Sequence, residues 1–113
     1  MVKRRSAVPD TGDIAWLSFS PHVGHEQGGH RPALVLSPAR YNGMTNMMIC
    51  CPMTSHLKGY PFEVVVSRDP PSAVLVDQIK SFDWRARRAE RKGRVADGVV
   101  AEVRAKLRAL IDT

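Results

Sequence analysis

The 113-residue chain is short of cysteine, with two, of aromatic residues, at 6%, and of acid, with 11 Asp and Glu against 17 Lys and Arg. Each shortage removes a class of protein. Cys50 and Cys51 are adjacent. Neighbouring side chains on a strand point to opposite faces, so a bridge between them is strained and no disulfide framework is available. They read as small apolar residues of a reducing, cytoplasmic environment, and without a C-x-x-C spacing they do not suggest redox chemistry. No run approaches the ~18 apolar residues that a membrane-spanning helix requires. The basic start Met1-Val2-Lys3-Arg4-Arg5 has no apolar segment behind it, so neither a membrane anchor nor a signal peptide is expected. Internal repeats and low-complexity tracts are also missing.

What remains is ordinary in bulk: 43% hydrophobic and 25% charged residues, values of a globular chain. The length suits one domain over residues 1–113, with residues 1–10 expected as a loosely ordered basic arm. The net charge of +6 favours an acidic partner such as nucleic acid or an acidic protein tail over the plainer reading of a solvated surface. Arginine outnumbers lysine twelve to five. A planar guanidinium matches phosphate geometry better than an ammonium does, which tilts the balance toward phosphate recognition.

Apolar runs bounded by turn residues predict strands at Asp13–Phe19, Pro32–Ser37, Met47–Thr54, Phe62–Val66 and Ser72–Val76. The last of these continues through the alternating segment Asp77–Phe82. Ser37–Gly43, with its Asn42-Gly43 pair, is expected as a turn. Asp97 is placed as a helix N-cap, followed by Val99, Val100, Val103, Leu107, Leu110 and Ile111 along one face of a helix. Five or more short strands ahead of a helix predict a mainly β fold with a C-terminal α-helix, built as a small barrel.

Pro21–His30 is longer than the usual hairpin connection, and long ordered loops in compact domains tend to be functional. It carries Glu26, His25 and His30 among glycines and runs into Arg31-Pro32. Pro32, lacking an amide hydrogen, belongs at the first residue of a strand and would fix Arg31 at its mouth. His22, His25 and His30 lack a carboxylate-rich partner segment, so a metal site is not expected. Between Trp84 and Arg94 lie Arg85, Arg87, Arg88, Arg91, Lys92 and Arg94 against the single acid Glu90, either a solvated face or a contact for a phosphate backbone.

Gly12-Asp13-Ile14-Ala15-Trp16, Glu26-Gln27-Gly28-Gly29-His30-Arg31-Pro32, Pro52-Met53-Thr54, Lys58-Gly59-Tyr60-Pro61-Phe62-Glu63, and Asp77-Gln78-Ile79-Lys80-Ser81 with Trp84-Arg85-Ala86-Arg87 resemble, in this order, the MazF/PemK family of toxins. The resemblance runs from about Val8 to the C-terminal helix. It implies an SH3-like β-barrel of the CcdB/MazF kind, a homodimer, and a sequence-specific endoribonuclease (an mRNA interferase). It also implies a single-stranded messenger RNA substrate and inhibition by a MazE-like antitoxin. Matched residue by residue, it places catalysis on Arg31 and Thr54, with Glu26 as a further catalytic residue. His30, Ser55, Lys58, Asp77, Gln78, Lys80, Ser81, Trp84 and Arg87 are expected to face RNA.

Elementary chemistry is compatible with this. RNA carries its own nucleophile, the 2′-hydroxyl beside the scissile phosphate. A protein then needs only a base for that proton, donors for the charge gathering on the phosphorus oxygens and an acid for the leaving 5′-oxygen, with no cofactor or metal. Glu26 reads as the base, Arg31 as the fixed cation and Thr54 as a neutral donor; the acid is left open between histidines. Two other readings stand beside this one. A gyrase poison of the CcdB type would carry a terminal tryptophan, whereas this chain ends Leu110-Ile111-Asp112-Thr113 with tryptophans at 16 and 84. A non-catalytic SH3-like nucleic-acid-binding module would leave Glu26, Arg31 and Thr54 without a purpose.

Overall fold

The computed structural model describes residues 8–112. Of the basic arm, residues 1–7 lie outside the described residues, while residues 8–10 are held. The Pro9 carbonyl accepts a hydrogen bond from Asn42 Nδ2 at 2.8 Å, and Asp10 Oδ1 accepts from the amides of Thr11 and Ala39, each at 2.9 Å.

The chain forms β1 (Asp13–Ser18), β2 (His30–Val35), α1 (Ala39–Thr45), β3 (Met47–Thr54), β4 (Glu63–Arg68) and β5 (Pro71–Leu75), followed by a 3₁₀ turn (Val76–Gln78), β6 (Lys80–Asp83), β7 (Glu90–Arg94) and α2 (Asp97–Ile111). The strands are antiparallel in the order β4-β5-β3-β2-β1-β7, with β6 also paired to β3. The result is a bent, half-barrel sheet with a C-terminal helix. Among the described residues no helix is long and apolar enough to cross a membrane.

β3 is the hub, and its alternation feeds two cores. Met48 and Cys50 pack with Ala15, Leu17, Phe19, Ala33, Val35, Phe82 and Trp84. Cys51 and Met53 point the other way, into a cluster with Leu34, Val64, Val74, Val76 and, from α2, Val100 and Val103. Each valine so buried contributes roughly 1.5–3 kcal/mol. The two thiols therefore face opposite cores, free and buried, and burial pushes both up to about 12.

Four local expectations are corrected. Ser37–Gly43 is mostly helix rather than turn, because Asn42 is drawn inward. Its side chain accepts from Ser37 Oγ at 2.6 Å and donates to the carbonyls of Pro9 and Ser37, and its backbone carbonyl accepts from Trp84 Nε1 at 2.9 Å. The strand expected over Asp77–Phe82 is interrupted. Between Val74 and Lys80 the chain advances six residues while its partner β3 advances three, from Met53 to Cys50, and the 3₁₀ turn takes up the excess. β7 was hidden by its charge. It is an edge strand tied to β1 by Asp13, which is 2% exposed and pairs with Arg94 Nη1 at 2.8 Å and Arg91 Nε at 3.1 Å. Asp97 is the first residue of α2 rather than its cap; Ala96 occupies that position without a side-chain bond.

Candidate active site

β2 opens at His30, and Pro32 is its third residue, paired with Trp16. Arg31 lies at the edge of the core. Its Nε donates to the Gly28 carbonyl at 3.1 Å and its Nη1 to the Met53 carbonyl at 3.2 Å. A guanidinium has five N–H donors, so these two bonds aim the group and leave three for a ligand. The loop that supplies Gly28 is itself folded. Phe19 N–H donates to the Gly29 carbonyl at 2.9 Å and Gly29 N–H to Ser20 Oγ at 3.2 Å, with Gly29 at φ +71. A Cβ at Gly28 would collide with the His22 imidazole. That glycine thus makes room for the protein's own ring.

Thr54 ends β3 on the other side of the same opening. Its Oγ accepts the His56 amide at 3.1 Å, which leaves its own hydrogen to donate outward. Arg31, Thr54, His30 and Ser55 share a cavity of about 520 Å³ with Gln27, Pro32, His56 and Ser72. A second cavity of about 430 Å³ shares Gln27, Thr54 and His56 with the first and adds His25, Lys58, Tyr60, Asp77 and Gln78. Here Tyr60 donates to Asp77 Oδ1 at 2.7 Å, and burial, helped by that carboxylate, pushes the phenol up to about 12.

Glu26 is placed differently. It lines neither cavity and is exposed. Oε1 accepts the Val23 amide at 2.9 Å and Oε2 meets Lys80 Nζ at 3.3 Å. The Val23 N–H first, and the Lys80 ammonium second, hold its carboxyl below the usual carboxylate range. Next to it the Gln27 amide donates to Gln78 Oε1 at 2.8 Å. Lys80 and Gln78, both expected to meet RNA, thus also fasten the loop to the 3₁₀ turn and the start of β6.

Two expected RNA contacts are built into the fold. Trp84 is 4% exposed and sits in the core with its indole N–H on the Asn42 carbonyl, so its ring is not available to a base. Arg87 Nη1 donates to the carbonyls of Ser18 and Ser20, each at 2.9 Å, and its guanidinium lies over the Phe82 ring. Ser81 is exposed on β6 opposite Ile49, away from both cavities. Gln27, His56, Tyr60 and Ser72 line the cavities without having been singled out. Gln27 and His56 lie within one or two residues of Glu26 and Thr54, a proximity that could have found them. Among the described residues no three His, Cys, Asp or Glu side chains are grouped to hold a metal ion.

Comparison with known proteins gives a consistent result. The family model described as the PemK-like, MazF-like toxin of type II toxin–antitoxin systems matches residues 10–111. The endoribonuclease toxin MazF of Escherichia coli K12 is 51% identical over 105 residues, covering 92% of this chain and 95% of that protein. The crystal structure of MazF from Deinococcus radiodurans superposes with a TM-score of 0.87 at 54% identity, covering 94% of this chain and 98% of that one. A MazE–MazF complex from the same organism matches with a TM-score of 0.82 at 54% identity, covering 94% and 97%.

Proposed function

The chain belongs to the PemK-like, MazF-like toxins of type II toxin–antitoxin systems, and from that premise we propose how its own residues cut RNA. It is an endoribonuclease and the toxin of a pair whose antitoxin is MazE-like. In our reading the scissile phosphate of single-stranded mRNA enters the cavity shared by Arg31 and Thr54. Arg31 directs its three remaining N–H donors at the non-bridging oxygens, where negative charge grows as the 2′-oxygen attacks phosphorus. Thr54 donates its hydroxyl hydrogen to the same group. Glu26, kept ionised by Val23 N–H and Lys80, takes the 2′-hydroxyl proton once the Pro21–His30 loop brings it over the substrate. His30 and His56, both in the cavity, are the candidates to protonate the leaving 5′-oxygen.

The observation that carries this reading is the doubly tethered Arg31 lining one cavity with Thr54, because a fixed pair of donors around an opening is what a phosphorane requires. Lys58, Asp77 and Gln78 in the adjoining cavity are assigned to the neighbouring nucleotide. For the homodimer, the face formed by Tyr41, Met44, Ile49, Leu107 and Ile111 around an apolar cavity of about 780 Å³ is the contact we assign. Met44 is 80% exposed there and Ile111 70%, which a second copy would cover. The cytoplasm, where its messenger RNA is found, is the compartment this reading implies.

Long single-stranded RNA incubated with the protein and a chelator tests the mechanism. Products with 2′,3′-cyclic phosphate and 5′-hydroxyl ends, and resistance when the nucleotide 5′ to the break carries deoxyribose, are the expected result. Cleavage of that deoxy substrate, or loss of activity to the chelator, would overturn it.

A further inference from the structure

The two tryptophans of this chain have opposite fates. Trp84 is buried with its indole N–H bonded to a carbonyl. Trp16 stands in β1 between Ala15 and Leu17, each 1% exposed, yet is itself 38% exposed. Among the described residues no hydrogen-bond partner is found for its indole N–H. A large aromatic ring left open on a sheet forgoes burial that a smaller residue there would not need.

Its neighbours give it a direction. Pro32 is directly opposite Trp16 on β2, and His30 is two residues away along that strand, opposite Ser18. The His30 ring leans against the indole, with centroids 5.9 Å apart and planes 35° from parallel. His30 and Pro32 both line the cavity that holds Arg31 and Thr54. The aromatic surface is therefore continuous with the wall of the proposed phosphate site. On the other side Glu90 is the cross-strand partner of Trp16, but its carboxylate is engaged by Lys92 Nζ at 3.1 Å, so the approach is not a bare negative edge.

We propose that Trp16, backed by His30, is the platform on which an unpaired base flanking the scissile phosphate stacks. With their centroids 5.9 Å apart the two rings leave no room for a base between them, so the base lies on the outer face of the indole. The indole N–H is then free to donate to the sugar–phosphate chain. Every base has a π-face, so such a platform adds affinity with little sequence demand, leaving discrimination to the polar groups of the second cavity. Trp16 is a binding and positioning residue here; it moves no proton.

This inference rests on the endoribonuclease reading, and its tests are chosen to separate the two. Trp16→Leu removes the π-face and keeps apolar bulk, while Trp16→Phe keeps a smaller ring. With single-stranded RNA as substrate, Trp16→Leu should raise KM about 5- to 150-fold, the range of a lost base stack, with kcat within about twofold of wild type. Trp16→Phe should restore most of the affinity. An unchanged KM in Trp16→Leu overturns the proposal, and so does a joint fall of kcat and melting temperature, which would mark the indole as sheet packing. On the wild-type protein, 2′-O-methyl single-stranded RNA, which lacks the nucleophile, should shield tryptophan fluorescence from acrylamide, since Trp84 is already buried. Undiminished quenching at saturating RNA also overturns the platform. Wild-type protein that binds this RNA with shielding yet cuts no RNA would leave the platform standing and bring down the catalytic reading instead.

Discussion

Replacing Arg31 by lysine separates charge from geometry at the proposed phosphate site. The guanidinium is held by two bonds to backbone carbonyls, Gly28 at 3.1 Å and Met53 at 3.2 Å, and still presents three donors. A lysine ammonium has three donors at one point, so it either keeps those tethers or turns to the phosphate. The loss in kcat should approach that of Arg31→Ala, about 10²–10³, equivalent to ~2.7–4 kcal/mol of transition-state stabilisation. Stability should change far less. Two neutral acceptors lose a partner at a half-buried position, worth ~0.5–1.5 kcal/mol each at most, and part of that is returned by water. For a chain of this size that corresponds to a melting shift of several degrees, about 4–8 °C per kcal/mol, with the protein still folded at 25 °C. The assay is single-turnover cleavage of a fluorescent single-stranded RNA at saturating enzyme, with thermal melts of each variant alongside. Arg31→Lys retaining more than about a tenth of wild-type kcat would refute the argument, because point charge alone would then suffice.

Thr54→Ser should keep activity within about tenfold, whereas Thr54→Val, which removes the donor and orphans the His56 amide, should lose about 10²-fold or more in kcat. Lys80→Ala removes a hydrogen bond and a charge that help to lower the Glu26 carboxyl, so its proton is bound at higher pH than in the wild type. The acid limb of the kcat/KM profile should then move upward in pH, and a limb that stays in place would argue that Glu26 is not the base. Met44→Asp places a charge in the apolar cavity shared with Ile49 and Ile111, and sedimentation should show the species falling from twice the chain mass to the 12.5 kDa monomer. A dimer that survives this change would move the interface elsewhere.

The strands were legible because a buried sheet face demands apolar residues at every second position and a strand buried on both faces a continuous run, and β1 to β5 fall where the runs of Ile, Leu, Val and Met fall. What escaped was held by partners distant in sequence. Asn42-Gly43 carries the local signature of a turn, yet four hydrogen bonds reaching Pro9, Ser37 and Trp84 pull Asn42 inside and make the segment a helix. β7 has no apolar face to announce it; Asp13, eighty-one residues before Arg94, selects it through a buried carboxylate. The site divides in the same way. Arg31 and Thr54 were named through family resemblance, but that one cavity joins them depends on the Arg31–Met53 bond at the end of β3, a tertiary contact.

The two tryptophans exchange the places their sequence surroundings suggest. Arginines follow Trp84, but a charge run says nothing about where the preceding ring points. Its neighbour Arg85 lies 4.4 Å over the indole. Ala15, Leu17 and Phe19 alternate with Trp16 and Ser18, and a period of two sends the first set inward and the second outward. That alternation is enough to turn the indole outward. The register that sets it beside His30 and Pro32 required the structure, because β2 could have paired with β1 one residue out of step and buried the opposite face. The active-site wall and the aromatic surface are thus consequences of one pairing, Trp16 against Pro32. A change that slips this register should remove catalysis and RNA affinity together, whereas Trp16→Leu removes affinity alone.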